Sequence, residues 1–167
     1  MNNETFSVLV ENKFGVLTRI AGLFSGRGFN IDSLTVSPTQ NDNYSRMTIV
    51  THGDAAIMEQ IEKQLNKLVE VVKVTRLTQG GFVARELMLL KVQATDRRSE
   101  IIQIAGVFKA QIVDVQLESL TIQVTGSTEK LNAFVELMRS FGIIELARTG
   151  SVALLRSSLT TENLSME

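Results

Sequence analysis

Asn12, Gly15 and Asn30 have side-chain types and a spacing that could bind a small zwitterion. A helix is predicted to begin just after Gly15, and a glycine there lets a ligand approach the unpaired N–H groups and positive dipole end of that helix. These groups can bind a carboxylate, while the asparagine amides before and after the helix can accept hydrogen bonds from an ammonium group. The pattern is typical of an amino-acid sensor, but Asn and Gly are also common in turns that bind nothing.

The helix between the two asparagines is predicted from its apolar spacing. Leu17, Ile20, Ala21 and Phe24 lie at i, i+3, i+4 and i+7, which predicts a stripe buried against a sheet. Gly28 is suited to the left-handed conformation that closes a helix. The helix is therefore expected to hold Asn12 near one end and Asn30 near the other.

The order strand, helix, strand, strand, helix, strand is predicted twice along the chain, in residues 4–78 and again in 86–156. A linker over 79–85 contains the paired glycines Gly80 and Gly81, a predicted joint, and the polar residues 157–167 are expected to form a disordered tail. The predicted fold class is α+β, with two ferredoxin-like βαββαβ domains in tandem. Because each domain is small and one face of its sheet has no covering helix, dimerisation is expected.

Composition excludes several classes of function. The 167 residues carry a formal net charge of −1, which gives no overall basic surface for nucleic acid. No apolar run approaches the roughly 20 residues that a membrane-spanning helix needs, and no basic and apolar leader precedes the first strand, so a cytoplasmic location is expected. The absence of cysteine rules out disulfides and thiolate chemistry.

No catalytic or metal-binding residues are predicted. His52 is the single histidine, and without a second histidine or a cysteine it is expected to be a surface loop residue and not a metal ligand. The serines lack a Gly-x-Ser-x-Gly elbow, and the chain has no phosphate-binding Walker sequence. A chain of this kind is expected to bind a small molecule without transforming it.

The residues around the predicted turn also carry a family resemblance. The segments Asn12-Lys13-Phe14-Gly15-Val16-Leu17 and 19–34 resemble the opening of the ACT domain in the small, regulatory subunit of acetolactate synthase, also called acetohydroxyacid synthase. Residues 45–49, 61–65 and 67–68 extend the similarity. Ile112-Val113-Asp114-Val115 and Arg148-Thr149-Gly150 resemble the C-terminal domain of the same family.

This resemblance implies that the chemistry belongs to a partner. The large catalytic subunit of that family holds thiamine diphosphate, FAD and Mg²⁺, and joins two pyruvates, or pyruvate and 2-oxobutyrate, with loss of CO₂. The resemblance implies no cofactor in this chain, which would activate the large subunit and confer feedback inhibition by a branched-chain amino acid, usually valine.

The resemblance also implies where the effector binds, namely between the ACT domains of a homodimer. One chain would contribute Asn12, Gly15, Val16 and Leu17, and the other would contribute Asn30 and Ile31 across the interface. Many ACT turns have a proline before the glycine, where this chain has Phe14.

Three alternative functions differ in the residues that they would require. A stand-alone ACT-type, amino-acid-responsive regulator of transcription would require a helix-turn-helix and a basic surface, and neither is evident in the sequence. An enzyme with its own active site would require a convergent acid, base or nucleophile set. A dimerisation module without ligand remains an alternative that only a binding measurement separates from an effector-binding subunit.

Overall fold

A computed structural model describes residues 2–79 and 81–156 of the chain. Gly80 of the predicted joint and the predicted tail, 157–167, lie outside the described residues. The strands and helices follow the predicted order, with one short strand added at the end. In chain order they are β1 (Asn2–Glu11), α1 (Val16–Gly26), β2 (Ser33–Pro38), β3 (Tyr44–Gly53), α2 (Ala55–Leu65), β4 (Val71–Arg76), β5 (Phe82–Gln93), α3 (Arg98–Val107), β6 (Gln111–Val115), β7 (Ser119–Gly126), α4 (Thr128–Met138), β8 (Ile143–Arg148) and β9 (Val152–Leu155).

The first sheet is antiparallel and has the strand order β2-β3-β1-β4. β1 lies at its centre, and its register with β3 runs from Asn2 opposite Gly53 to Glu11 opposite Tyr44. Alternate residues of the strands face α1 and α2 and form a buried core with them. This strand order with two helices on one face is the ferredoxin-like arrangement, so the predicted fold of the first half is confirmed.

The buried face of α1 is not the one predicted, because the helix is rotated about its own axis relative to the prediction. Val16, Ile20, Leu23 and Phe24 are its buried residues, whereas Leu17 is 43% exposed. Positions i, i+4, i+7 and i+8 also share one face of a helix, and adjacent apolar residues at 16 and 17 leave two possible faces. Leu17 is consequently available at the surface.

The C-terminal end of α1 has the expected left-handed glycine. Gly28 has φ of +69°, and its N–H donates to the carbonyl of Ser25 at 3.2 Å. The N–H of Phe29 donates to the carbonyl of Phe24 at 3.0 Å, and the rings of these two residues meet edge to face. These contacts form a Schellman motif with its apolar contact. The motif fixes the direction in which the chain leaves the helix toward Asn30.

The second sheet repeats this architecture in the order β6-β7-β5-β8, with β9 also paired to β5. Its core is formed by the inward-facing apolar residues of β5 and β7 together with those of α3 and α4. At the start of α4, Ser127 accepts a hydrogen bond from the N–H of Lys130, as Asp54 does from Ile57 at the start of α2. Both halves are therefore ferredoxin-like, as predicted.

The chain divides into two compact units. The second unit is Ala84–Gly150, and the first contains the residues up to Val83 together with the described residues from Ser151. In the first unit, the N–H of Arg156 donates to the carbonyl of Gly81 at 2.8 Å. The chain thus returns to the first unit after completing the second. The domain limits expected from the sequence stay a prediction.

Candidate functional site

The turn before α1 leaves main-chain donors unoccupied. Gly15 is the N-cap residue with φ of +82°, and within the described part of the chain no side-chain hydrogen bond caps the start of this helix. The N–H groups of Leu17 and Thr18 belong to the first turn, which has no intrahelical acceptors for them, and no main-chain partner is present for either among the described residues. By contrast, α2 and α4 are closed by Asp54 and Ser127. The start of α1 can therefore accept a ligand carboxylate.

The cations near this turn are already paired. Lys13 Nζ lies 2.8 Å from Glu11 Oε2, and the hydrogen bond and charge of that carboxylate raise the pKa of Lys13. Arg19 of α1 pairs with Glu70. Because both cations have carboxylate partners, recognition of an anion at this turn would depend chiefly on the main-chain N–H groups and the helix dipole.

The side chain of Asn12 is held by the loop between β2 and β3. Its Nδ2 donates to the carbonyl of Asp42 at 2.9 Å, and its main-chain N–H donates to the carbonyl of Asn43 at 2.7 Å. A main-chain carbonyl only accepts hydrogen bonds, so the amide nitrogen must face it. This leaves the amide oxygen of Asn12 as the end available to a ligand.

The second asparagine lies in a more densely bonded loop. Thr51 Oγ1 donates to the carbonyl of Asn30 at 2.5 Å, and the N–H of Asp32 donates to the carbonyl of Val50 at 2.8 Å. Asn30 Nδ2 donates to Asp32 Oδ1 at 2.6 Å. Asp32 Oδ2 in turn lies 2.7 Å from His52 Nδ1. No local pattern in the sequence marks Asp32, Thr51 or His52 as neighbours of Asn30.

His52 lies within β3, so its predicted position in a loop is wrong. Its side chain is about one-third exposed and pairs with the Asp32 carboxylate.

Among residues 2–79 and 81–156, no group of three or more His, Asp or Glu side chains is placed to hold a metal ion. No described helix is both long and apolar enough to cross a membrane.

Within one chain, the two groups of predicted site residues do not meet. Asn12, Gly15, Val16 and Leu17 lie at the start of α1, and Asn30 and Ile31 follow its end. The 11 residues of α1 rise by about 16 Å, at 1.5 Å per residue. A ligand of amino-acid size could touch both groups only if a second chain supplied one of them, and that assignment stays a prediction.

The three apolar residues predicted for the site differ in accessibility. The Val16 side chain is only 4% exposed and belongs to the core, so it can offer a ligand little beyond its main chain. Leu17 is exposed, and Ile31 is partly buried against the core. Leu17 and Ile31 are therefore the residues able to contact an aliphatic side chain.

Comparison with known proteins covers both halves of the chain. A family model described as "AHAS small subunit-like ACT domain" matches residues 6–73. A second model, described as "Small subunit of acetolactate synthase", matches residues 85–157. The two matches together span both ferredoxin-like units.

Full-length relatives and a solved structure agree with these models. A probable acetolactate synthase small subunit of Archaeoglobus fulgidus is 54% identical over 155 residues, covering 92% of this chain and 97% of the relative. The acetolactate synthase isozyme 3 small subunit of Escherichia coli is 50% identical over 152 residues, covering 90% of this chain and 93% of the relative. The crystal structure of the acetolactate synthase small subunit from Thermotoga maritima has a TM-score of 0.87 at 42% identity and covers 95% of this chain and all of that one. The chain therefore belongs to the acetolactate synthase small-subunit family.

Proposed function

We propose that the chain is the regulatory subunit of acetolactate synthase in the biosynthesis of valine, leucine and isoleucine. The observation that carries the proposal is the similarity to named small subunits over at least nine-tenths of both lengths. The chain would bind a large catalytic subunit in the cytoplasm and raise its activity. Thiamine diphosphate, FAD and Mg²⁺ would belong to that catalytic subunit, whereas this chain would carry none of them.

The proposed effector is valine or a related branched-chain amino acid. Its carboxylate would bind the N–H groups at the start of α1, where the N-cap residue Gly15 has no side chain to cap them. Its ammonium group would bind amide oxygens of Asn12 and Asn30, and its aliphatic side chain would contact Leu17 and Ile31. Because these residues lie at both ends of α1, the complete site requires a homodimer formed through the ACT domain.

Inhibition would follow from linkage between the effector and the catalytic partner. An effector that bridges two chains stabilises the arrangement of the dimer to which it binds better. A typical coupling of about 1 to 3 kcal/mol changes affinity between linked sites by roughly 5- to 150-fold. The effector would therefore alter the catalytic subunit without contacting its reacting atoms.

Reconstitution tests this function directly. The full chain is mixed with the separately purified catalytic subunit of the same organism, and acetolactate formation from pyruvate is measured with and without valine. The chain alone is expected to form no acetolactate, the mixture to exceed the catalytic subunit alone, and valine to lower the rate of the mixture only. A chain that forms no complex and leaves the rate unchanged would contradict the proposal and favour a stand-alone regulator or dimerisation module.

Asn30→Ala is expected to weaken valine binding by about 5- to 30-fold, since it removes one hydrogen bond to a charged group. Asn30 is exposed, so the free energy of unfolding should change by only about 0.5 kcal/mol. Isothermal titration and thermal melting of the full chain measure both quantities. Asn66→Ala is a control at the end of α2, because Asn66 is another exposed asparagine whose amide donates one hydrogen bond, in its case to the main-chain carbonyl of Glu62. Full affinity combined with a large loss of stability would show that Asn30 is structural.

A further inference from the structure

Asp32 uses both carboxylate oxygens to connect Asn30 with His52. Oδ1 accepts from Asn30 Nδ2 at 2.6 Å, and Oδ2 lies 2.7 Å from His52 Nδ1. An ionised carboxylate only accepts hydrogen bonds, so the atoms facing it must be donors. The amide nitrogen of Asn30 therefore faces Asp32, and its amide oxygen points the other way. By the same argument, His52 carries a proton on Nδ1.

The main chain of residues 30–32 is held by contacts with β3 that do not involve the Asp32 carboxylate. Thr51 is fully buried and its hydroxyl holds the carbonyl of Asn30, while the N–H of Asp32 is bonded to Val50 of β3. Ser33 then begins the paired register of β2 opposite Val50. The position of Asn30 thus depends on β3, and the rotation of its amide depends on Asp32. A substitution at the Asp32 side chain can therefore change the orientation of the Asn30 amide while the main chain of Asn30 stays in place.

We propose that Asp32, held by His52, is a positioning residue that presents the amide oxygen of Asn30 to the ligand and so selects for an ammonium group. This inference rests on the proposed effector function. An amide oxygen is an acceptor, and a charged N–H donor bonds to it more strongly than a neutral hydroxyl does. Without the carboxylate, the Asn30 amide can rotate by half a turn and present its NH₂ group to the ligand. An NH₂ group repels an ammonium group but can donate a hydrogen bond to the oxygen of a hydroxyl.

The test compares two ligands that differ at one group. L-Valine and (S)-2-hydroxy-3-methylbutanoate share the carboxylate and the aliphatic side chain, but the second has a hydroxyl in place of the ammonium group. Affinities of both are measured by isothermal titration with the full chain, its Asp32→Asn variant and its His52→Val variant. Asp32→Asn keeps the size of the side chain. His52→Val removes the imidazole whose N–H holds Asp32 and leaves a side chain suited to a β-strand.

Asp114→Asn is a matched control. Asp114 Oδ1 accepts from Gln116 Nε2 at 3.0 Å, which is the same pairing of an amide with a carboxylate two residues away, but in the second unit. This variant should leave both affinities unchanged. It therefore reports any effect of removing one surface carboxylate from the chain.

The wild-type chain is expected to prefer valine. Asp32→Asn should reduce that preference by about tenfold, mainly by lowering the affinity for valine. A tenfold change corresponds to about one hydrogen bond to a charged group. His52→Val should reduce it in the same direction by about threefold, since Asp32 stays but is less firmly held. Equal weakening of both ligands, or an unchanged preference, would overturn the positioning role while leaving the proposed function intact. A wild-type chain that binds neither compound would instead contradict the proposed effector function.

Discussion

Gly15→Asp is expected to abolish effector binding while the chain stays folded. Asp is a favoured N-cap residue, so its carboxylate would bind the first-turn N–H groups of α1 that are proposed to bind the effector carboxylate. The built-in carboxylate would also repel that of the ligand, and like charges placed together cost several kcal/mol, so the affinity should fall by at least about 100-fold. A Cβ atom at Gly15 meets nothing within 4 Å, so the strain comes only from its φ of +82°. Titration of valine into the full-length variant measures the loss.

Gly15→Asn separates charge from conformation. Asn has nearly the size of Asp and also tolerates the left-handed region, but it brings no negative charge. It can still cap the N–H groups, so it is expected to lower the affinity by about tenfold, which is less than the loss for Asp. Equal losses for the two variants would show that repulsion is not the cause. Full-strength binding by Gly15→Asp would place the effector elsewhere on the chain.

The sequence predicted the elements of this fold because its local signals agree with one another. Apolar residues alternate with other residues along β1 and β5, and Asp54 and Ser127 are residue types that favour the start of a helix. The rotation of α1 was harder to predict, since Val16 and Leu17 are adjacent and apolar. Only the contact of the helix with the sheet determines that Val16 is buried and Leu17 exposed.

The candidate site could be predicted in part. Asn12, Gly15 and Asn30 stand out by residue type beside a predicted helix, and their local geometry suits ligand binding. The group formed by Asp32, Thr51 and His52 could not be predicted, because some 20 residues separate Asp32 from His52. Their proximity depends on the register that places Ser33 opposite Val50, and hydrophobic patterning leaves that register open.

Arg76→Met is expected to destabilise the first unit by about 3 to 5 kcal/mol, because it leaves a buried carboxylate without its cation. Arg76 Nη2 lies 2.7 Å from Glu4 Oε2, and the two side chains are only 15% and 10% exposed. Among the described residues, Glu4 Oε1 already has no hydrogen-bond partner. The Arg76 guanidinium also lies 6.0 Å from the ring centroid of Phe6 in the core. Urea denaturation of the full chain, followed by circular dichroism, measures the loss.

The double variant Glu4→Gln/Arg76→Met tests whether the uncompensated charge causes the loss. Removing both charges should recover most of the stability, because a buried ion pair is often no better than neutral side chains of similar volume. Lys91→Met is a matched control, since Lys91 Nζ lies 3.7 Å from Glu145 Oε2 in an exposed pair of the second unit. This variant should reduce the free energy of unfolding by no more than about 1 kcal/mol. A loss of that small size for Arg76→Met as well would mean that water solvates Glu4 when its partner is removed. A double variant as unstable as Arg76→Met would assign the loss to the packing of the arginine stem instead of its charge.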